Sequence, residues 1–302
     1  MYTNPWFYVA LLAIFFIGVT KSGFGSGVGL IIVPMTTLAM GYGAFPGRGA
    51  EAALGLLLPL LVVGDFISIW QHRHYFAKAK PADVECECAG ESAGGGEGRV
   101  ATAVHTQPVY GTARIMKLLL PGTFIGILIG TLALWAFHQQ QAMVASLMKI
   151  EIGCESMLLV GLHWWRLYRG MQTRLMAEPG RSWLAGTFAG ASSTLAHAAG
   201  PIIAMYLLPL RLERKLFVAT CALYFFVLNA AKMPSYYYAG QFKHAELSFT
   251  MLFLPVLVAG AVFGFWVNKR MSDKLFTNVI YFCTFVLGGY VMYEGIAALV
   301  KH

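Results

Sequence analysis

Two apolar stretches of this chain are each interrupted by glycine and small polar residues, and the interruptions fall in matching places in its two halves. The first runs Gly18-Val19-Thr20-Lys21-Ser22-Gly23-Phe24-Gly25-Ser26-Gly27-Val28-Gly29 into Leu30-Ile31-Ile32-Val33-Pro34. The second runs Gly190-Ala191-Ser192-Ser193-Thr194-Leu195-Ala196-His197-Ala198-Ala199-Gly200-Pro201 into Ile202-Ile203-Ala204-Met205. Setting Gly29 against Gly200 aligns both. In hydrocarbon every backbone N–H and C=O needs a partner, so backbone broken this way is tolerated only where protein covers it or a cavity hydrates it. Paired interruptions in two halves point to the binding site of a transporter.

The rest of the composition agrees with a membrane setting. Of 302 residues, 58% are hydrophobic and 12% charged, and the mean hydropathy is +0.63, whereas a soluble domain carries about 25% charged residues. The net charge of +8 sits in short basic clusters between apolar runs, where it orients a chain in a bilayer. No basic patch forms a nucleic-acid-binding motif, so nucleic acid is not expected as a partner. The five cysteines, Cys86, Cys88, Cys154, Cys221 and Cys283, are irregularly spaced and make no disulfide framework. Cys86-Glu87-Cys88 with His105 falls short of the four-ligand spacing of a zinc site, so neither a metal nor a cofactor is expected. A signal peptide is not evident either, since no basic n-region or cleavage site precedes the first break.

Against the roughly 20 residues needed to cross a bilayer, apolar segments lie near 5–20, 28–41, 51–70, 117–137, 142–165, 183–195, 201–212, 216–232, 248–267 and 275–299. The short pairs flanking the breaks read as two tilted crossings or as one re-entrant hairpin each. Lysine and arginine concentrate in the loops around Arg73–Lys117, Arg166–Arg181, Arg211–Lys215 and Lys269–Lys274, which places those loops in the cytoplasm of a multi-pass inner-membrane protein and both termini outside. Five segments per half is an odd number, so the second half enters from the opposite face. The expected fold is therefore all-α: a polytopic transmembrane helical bundle of about ten segments in two inverted repeats, with paired broken or re-entrant helices. Repeat 1 comprises 1–77 and 114–170, and repeat 2 comprises 171–302. Between the parts of repeat 1, residues 78–113 hold Pro81, Asp83, Glu85, Glu87, Glu91, Glu97 and Gly94-Gly95-Gly96 and read as a flexible cytoplasmic linker.

As re-entrant hairpins from opposite faces, the two tips would meet near the midplane. Each tip starts a half-helix, near Val28 and Pro201, whose first turn presents unpaired amides to an anion. Gly23, Gly25, Gly27, Gly29 and Gly200 allow close approach of backbone to a ligand, and Ser22, Ser26, Ser192, Ser193 and Thr194 add hydroxyl donors. Small residues that merely let helices pack are the alternative. Lys21 either supplies charge at depth or reaches the headgroups. His197 either binds an anionic oxygen or proton or is satisfied by carbonyls. Asn229 and Lys232 share a helix face and line an outer vestibule, or else Lys232 is interfacial before Pro234. Asp65 sits toward the end of its segment, in reach of Arg73, and with Glu151 and Glu155, which are four residues apart, forms the set of candidates for ion coupling. His72-Arg73-His74 after Trp70 reads as an interfacial anchor, and Tyr236-Tyr237-Tyr238 as part of an aromatic belt. No Gly-x-Ser-x-Gly or His-Glu-x-x-His motif is present, so the chain is not expected to be an enzyme.

The ordered set of Lys21-Ser22-Gly23-Phe24-Gly25-Ser26-Gly27-Val28-Gly29, Leu58-Pro59-Leu60-Leu61-Val62-Val63-Gly64-Asp65, Ala196-His197-Ala198-Ala199-Gly200-Pro201 and Asn229-Ala230-Ala231-Lys232-Met233-Pro234 resembles the sulfite exporter TauE/SafE family. The likeness covers nearly every span but not the linker, and Glu151 and Glu155 depart from the apolar residues expected of the family there. The resemblance implies a permease built of two repeats for small sulfur-containing anions such as sulfite or organosulfonates. The function expected is a secondary transporter, an exporter working by alternating access around a midplane anion site. An anion channel, or a membrane enzyme acting on a lipid or sulfur compound, are the alternatives. Beside the sulfur anion and the lipid bilayer, the partners to consider are a coupling proton or sodium ion and a second copy of the chain in a homodimer.

Overall fold

In a computed structural model the described residues are 4–23, 29–44, 52–76, 111–136, part of 146–169, 177–197, most of 199–242, 250–270 and 272–300. They form helices and turns, with no strand among them. Helices α1 (Pro5–Gly23), α2 (Gly29–Gly41), α3 (Ala52–Phe76) and α4 (Thr112–Ala136) precede helical turns within 146–168. After these come α5 (Pro179–Ala196), α6 (Ala199–Leu207), α7 (Arg214–Tyr238), α8 (Leu254–Arg270) and α9 (Asp273–Val300). Among the described residues Pro5–Gly23, Ala53–Phe76, Thr112–Ala136 and Lys215–Tyr238 are long and apolar enough to cross a membrane, and Leu254–Val267 is a shorter apolar helix. The protein is thus a polytopic helical membrane protein. Apart from 111–113, the stretch expected as a linker lies outside the described residues.

The helices flanking each break pair as a hairpin. Asn4 Nδ2 donates to the carbonyls of Tyr42 at 3.2 Å and Gly43 at 2.8 Å, so the start of α1 lies beside the end of α2. In the second half the Ser182 and Tyr206 hydroxyls meet at 2.7 Å, which puts the start of α5 beside the end of α6. Helices α2 and α6 begin at Gly29 and Ala199, close to the positions that the aligned glycines mark.

Helices α3 and α7 pack against each other and run antiparallel. Leu58 clusters with Tyr236, Asp65 meets Asn229, Phe66 lies near Phe226, and Tyr75 receives Lys215. The two halves also exchange their fourth helices: α4 packs mainly on α5, and α8 on α1. Membrane helices gain little from hydrophobic exclusion and associate where small residues let backbones approach. A Cβ on Gly122 or Gly126 of α4 would overlap the Trp183 or Thr187 carbonyl of α5, and one on Gly186 or Gly190 the Leu119 or Thr123 carbonyl of α4. The other interface repeats the device, with Gly260 and Gly264 of α8 set against the Phe15 and Val19 carbonyls of α1. Two apolar cores follow from this exchange. One joins α1–α3 with Phe253 and Leu257, and the other joins α4 with α5–α7. The outward face of α4, with Phe124, Leu128, Leu132 and Trp135 exposed, suits lipid.

Candidate functional site

The last turn of a helix leaves carbonyls without intrahelical partners, and at both hairpin tips side chains of the long central helices supply them. In the first half, Ser68 Oγ donates to the Lys21 carbonyl at 2.8 Å. The Lys21 side chain turns back along α3, where its ammonium meets Asp65 Oδ1 at 2.7 Å and lies 4.5 Å from the centre of the Phe225 ring. Asn229 Nδ2 donates to the other carboxylate oxygen at 2.7 Å. Asp65 is fully buried. It stands in the middle of its helix rather than toward the end, because α3 continues past Trp70 to Phe76. It therefore pairs with Lys21 and not with Arg73, whose guanidinium donates to the Trp70 carbonyl at 2.8 Å.

In the second half, His197 caps α5 in the left-handed region at φ 54°, with its N–H on the Ser193 carbonyl. Lys232 Nζ lies 2.9 Å from that same carbonyl, 2.8 Å from Ser193 Oγ and 3.0 Å from His197 Nδ1. The other ring nitrogen, Nε2, is 3.1 Å from the Leu54 carbonyl. A carbonyl only accepts, so Nε2 carries the proton and Nδ1 accepts from Lys232. Tyr236 donates to the Thr194 carbonyl at 2.6 Å. The Thr194 hydroxyl, expected as a donor to a ligand, donates to Gly190 O within its own helix.

Lys232 and Asn229 correct the sequence reading most. Neither lines a vestibule or an interface: Lys232 is fully buried and Asn229 nearly so, because α7 runs through Pro234 to Tyr238 and keeps both well inside it. His72, expected as an interfacial anchor, is also buried and donates from Nδ1 to the Ser68 carbonyl at 2.9 Å. Tyr236 leaves the belt too, being fully buried while Tyr237 and Tyr238 are 72% and 86% exposed.

Together these residues form two matching triplets. Asp65, Ser68 and His72 on α3, and Asn229, Lys232 and Tyr236 on α7, have the same spacing of three and four residues, which keeps each set on one helix face. Ser68 and Tyr236 were the residues that reading the sequence for chemistry missed, and the repeated spacing of polar residues inside apolar helices is the signal that finds them.

The tips do not meet at a single point as expected. Lys21 lies against Ser68 and His197 against Leu54, fourteen residues apart on α3, or about 21 Å along the helix. The ends of α1 and α5 thus lie at different levels of α3, with Asp65, Asn229 and Lys232 in the interval between them; α2 and α6 are in contact. Ser22 is buried, and its hydroxyl has no hydrogen-bond partner among the described residues. At Gly23 a Cβ would come within 2.9 Å of the Gly264 carbonyl, so that glycine serves close packing. Gly29, Gly200 and Pro201 lie in the first turns of α2 and α6. Gly25, Ser26, Gly27, Glu151 and Glu155 lie outside the described residues, as do Cys86 and Cys88.

In charge terms the Lys21 ammonium is matched by Asp65. Lys232 has only neutral partners among the described residues. The Asp65 carboxylate acts on Lys232 only from a distance and is already paired with Lys21; a buried ammonium with no hydrogen-bonded counter-charge is costly, and an anion beside it lowers that cost.

No curated protein and no solved structure matches the chain. A family model described as sulfite exporter TauE/SafE matches residues 99–291, well over half of the chain. The matched region takes in α4 to most of α9, with His197, Asn229 and Lys232, while the first hairpin and α3 precede it. By this match the chain belongs to the sulfite exporter TauE/SafE family, and is a multi-pass membrane transporter of sulfur anions rather than an enzyme.

Proposed function

We propose that the chain is a secondary transporter that exports small sulfur-containing anions such as sulfite or organosulfonates, by alternating access around a site between the two hairpin tips. The observation that carries this reading is Lys232, a buried amine whose hydrogen-bond partners among the described residues are all neutral. Lys232 draws the anion, and Ser193 and His197 hold the Lys232 side chain in place. Lys21 and Ser22 complete the opposite side.

The antiparallel course of α3 and α7, the two hairpins with paired ends and the exchanged fourth helices all favour two repeats inserted from opposite faces. With the termini outside and the 78–113 stretch in the cytoplasm, export of a monoanion runs down the membrane potential, worth ~2.3 kcal/mol per charge per 100 mV.

The test is counterflow in liposomes containing the purified protein. Labelled sulfite outside should accumulate transiently against unlabelled sulfite inside, saturate with concentration, and disappear in Lys232→Ala. A flux that never saturates and shows no counterflow would make the protein a channel.

A further inference from the structure

The buried polar residues do not stop at the anion site. On α3 the face that holds Asp65 continues through Ser68 to His72, seven residues or about 10 Å of helix, and all three are buried. His72 Nδ1 donates to the Ser68 carbonyl, and Ser68 Oγ donates to that of Lys21. Two side-chain oxygens along this stretch, Ser22 Oγ and Gln71 Oε1, are buried with no hydrogen-bond partner among the described residues. Ser22 follows the residue that Ser68 holds, and Gln71 is one turn beyond Ser68. Orphaned polar atoms in a low-dielectric interior call for ordered water. Hydroxyl, amide and imidazole groups thus follow one another from Asp65 toward the Phe76 end of α3, where Lys215 stands 5.0 Å from the Tyr75 ring.

The groups facing Asp65 are few. Lys21 comes from α1, and the Asn229 amide and Lys232 come from α7, with His197 of the second tip behind Lys232. Helix α2 has no titratable side chain, and those of α8 are confined to Lys269 and Arg270 in its last turn. Asp65 is therefore the one carboxylate in contact with the site among the described residues, and it occupies the Lys21 cation that an anion would otherwise take.

We propose that this seam conducts protons and couples them to the anion. Asp65 takes up a proton arriving by way of His72, Gln71, Ser68 and Ser22; its ion pair with Lys21 opens, and the freed ammonium binds the sulfur anion beside Lys232. When the anion leaves on the other side, the proton leaves Asp65 and the Lys21–Asp65 pair re-forms. One proton and one monoanion travel together, so no net charge is moved: the summed anion and proton gradients set the direction in place of the membrane potential that would drive a lone anion outward, and the equal charge of the loaded and empty site keeps the barrier to moving it through hydrocarbon low. This inference rests on the transport function proposed above.

Methanesulfonate is a suitable probe, because it stays ionised near neutral pH and brings no proton of its own. Purified protein in liposomes, with a pH-sensitive dye inside and the potential clamped by potassium and valinomycin, is given an inward methanesulfonate gradient. The interior should acidify by about one proton per sulfonate. Asp65→Asn should lower the proton-to-sulfonate ratio at least tenfold. His72→Leu should do the same while the rise in melting temperature caused by methanesulfonate stays at the parent value, which shows an intact folded site. Sulfonate entry without protons, or an unchanged ratio in both variants, overturns the coupling and leaves the transport function standing. No methanesulfonate entry at all sinks both.

Discussion

Ser68 and Lys232 hold corresponding places in the two halves: each stands three residues after the polar residue at the α3–α7 crossing, and each donates to a carbonyl in the last turn before a break. The crossing residues themselves, Asp65 and Asn229, bond to each other. The same device therefore closes both helix ends. The first half closes its end with a neutral hydroxyl, whereas the second uses an amine; at the crossing the charge lies the other way round, with a carboxylate in the first half and a neutral amide in the second. A cation at a helix C-terminus also suits the negative end of the helix dipole.

Replacing these two residues should separate structure from binding. Ser68→Ala removes one buried hydrogen bond and should cost about 1 kcal/mol, with the stabilisation by sulfite kept. Lys232→Met removes the hydrogen bonds and the costly buried amine together, and should stay within about 1 kcal/mol of the parent while losing the sulfite response. That response is worth about 2.7 kcal/mol at a ligand concentration of 100 Kd. Thermal unfolding in detergent with and without sulfite reads both effects; a full sulfite shift in Lys232→Met would remove Lys232 from the anion site.

The glycine interfaces predict a sharp positional contrast. Gly126→Ala drives a methyl into the Thr187 carbonyl, and Gly260→Ala does the same at Phe15; each should destabilise by about 1–3 kcal/mol. Gly161 has nothing within 4 Å of an added Cβ, so Gly161→Ala should be neutral or stabilising by up to about 1 kcal/mol through helix propensity. Equal melting temperatures for all three variants would show that α4–α5 and α1–α8 are not the close-packed pairs.

The breaks were legible in the sequence because glycine and small polar residues inside hydrocarbon stretches leave few structural options. Helix ends were less so. His72-Arg73-His74 reads as the end of a span, yet Arg73 folds back onto the Trp70 carbonyl and ring while His72 packs edge-on against Phe265, and the helix goes on. Pro234 reads as a stop, yet α7 passes through it. Both errors pushed Asp65 and Lys232 toward the membrane surface on paper. The Lys21–Asp65 pairing was beyond reach for another reason: it depends on α1 lying beside α3, which nothing local in either segment encodes.

His197 is the single described residue other than glycine with positive φ, a conformation that costs an ordinary side chain about 1–2 kcal/mol. His197→Gly should regain about that much at the cap while losing the bonds to Lys232 and Leu54, so the melting temperature should change little. Transport should fall at least tenfold, because Lys232 loses the imidazole that positions it. His197→Val keeps the strain and adds β-branching at positive φ, and should destabilise clearly. If His197→Gly transports at the parent rate, the histidine is a cap and nothing more.

The Lys21–Asp65 pair lends itself to a double-mutant cycle. Lys21→Met leaves a fully buried carboxylate with the Asn229 amide as its remaining partner, and losing one member of a buried pair costs about 3–5 kcal/mol. Asp65→Asn should cost less: Lys21 keeps 12% of its side chain exposed and has the face of Phe225 beside it, so its ammonium can find water. Lys21→Met with Asp65→Asn removes both charges and should recover most of the loss, giving a coupling energy of at least about 2 kcal/mol from thermal or denaturant unfolding in detergent, within the range seen for residues in direct contact. The double variant should nevertheless fail to transport, since it has lost the cation that the anion needs on the side opposite Lys232. A coupling energy below about 0.5 kcal/mol would mean that the two residues do not meet in the folded protein, and the joining of the first tip to α3 would have to be abandoned.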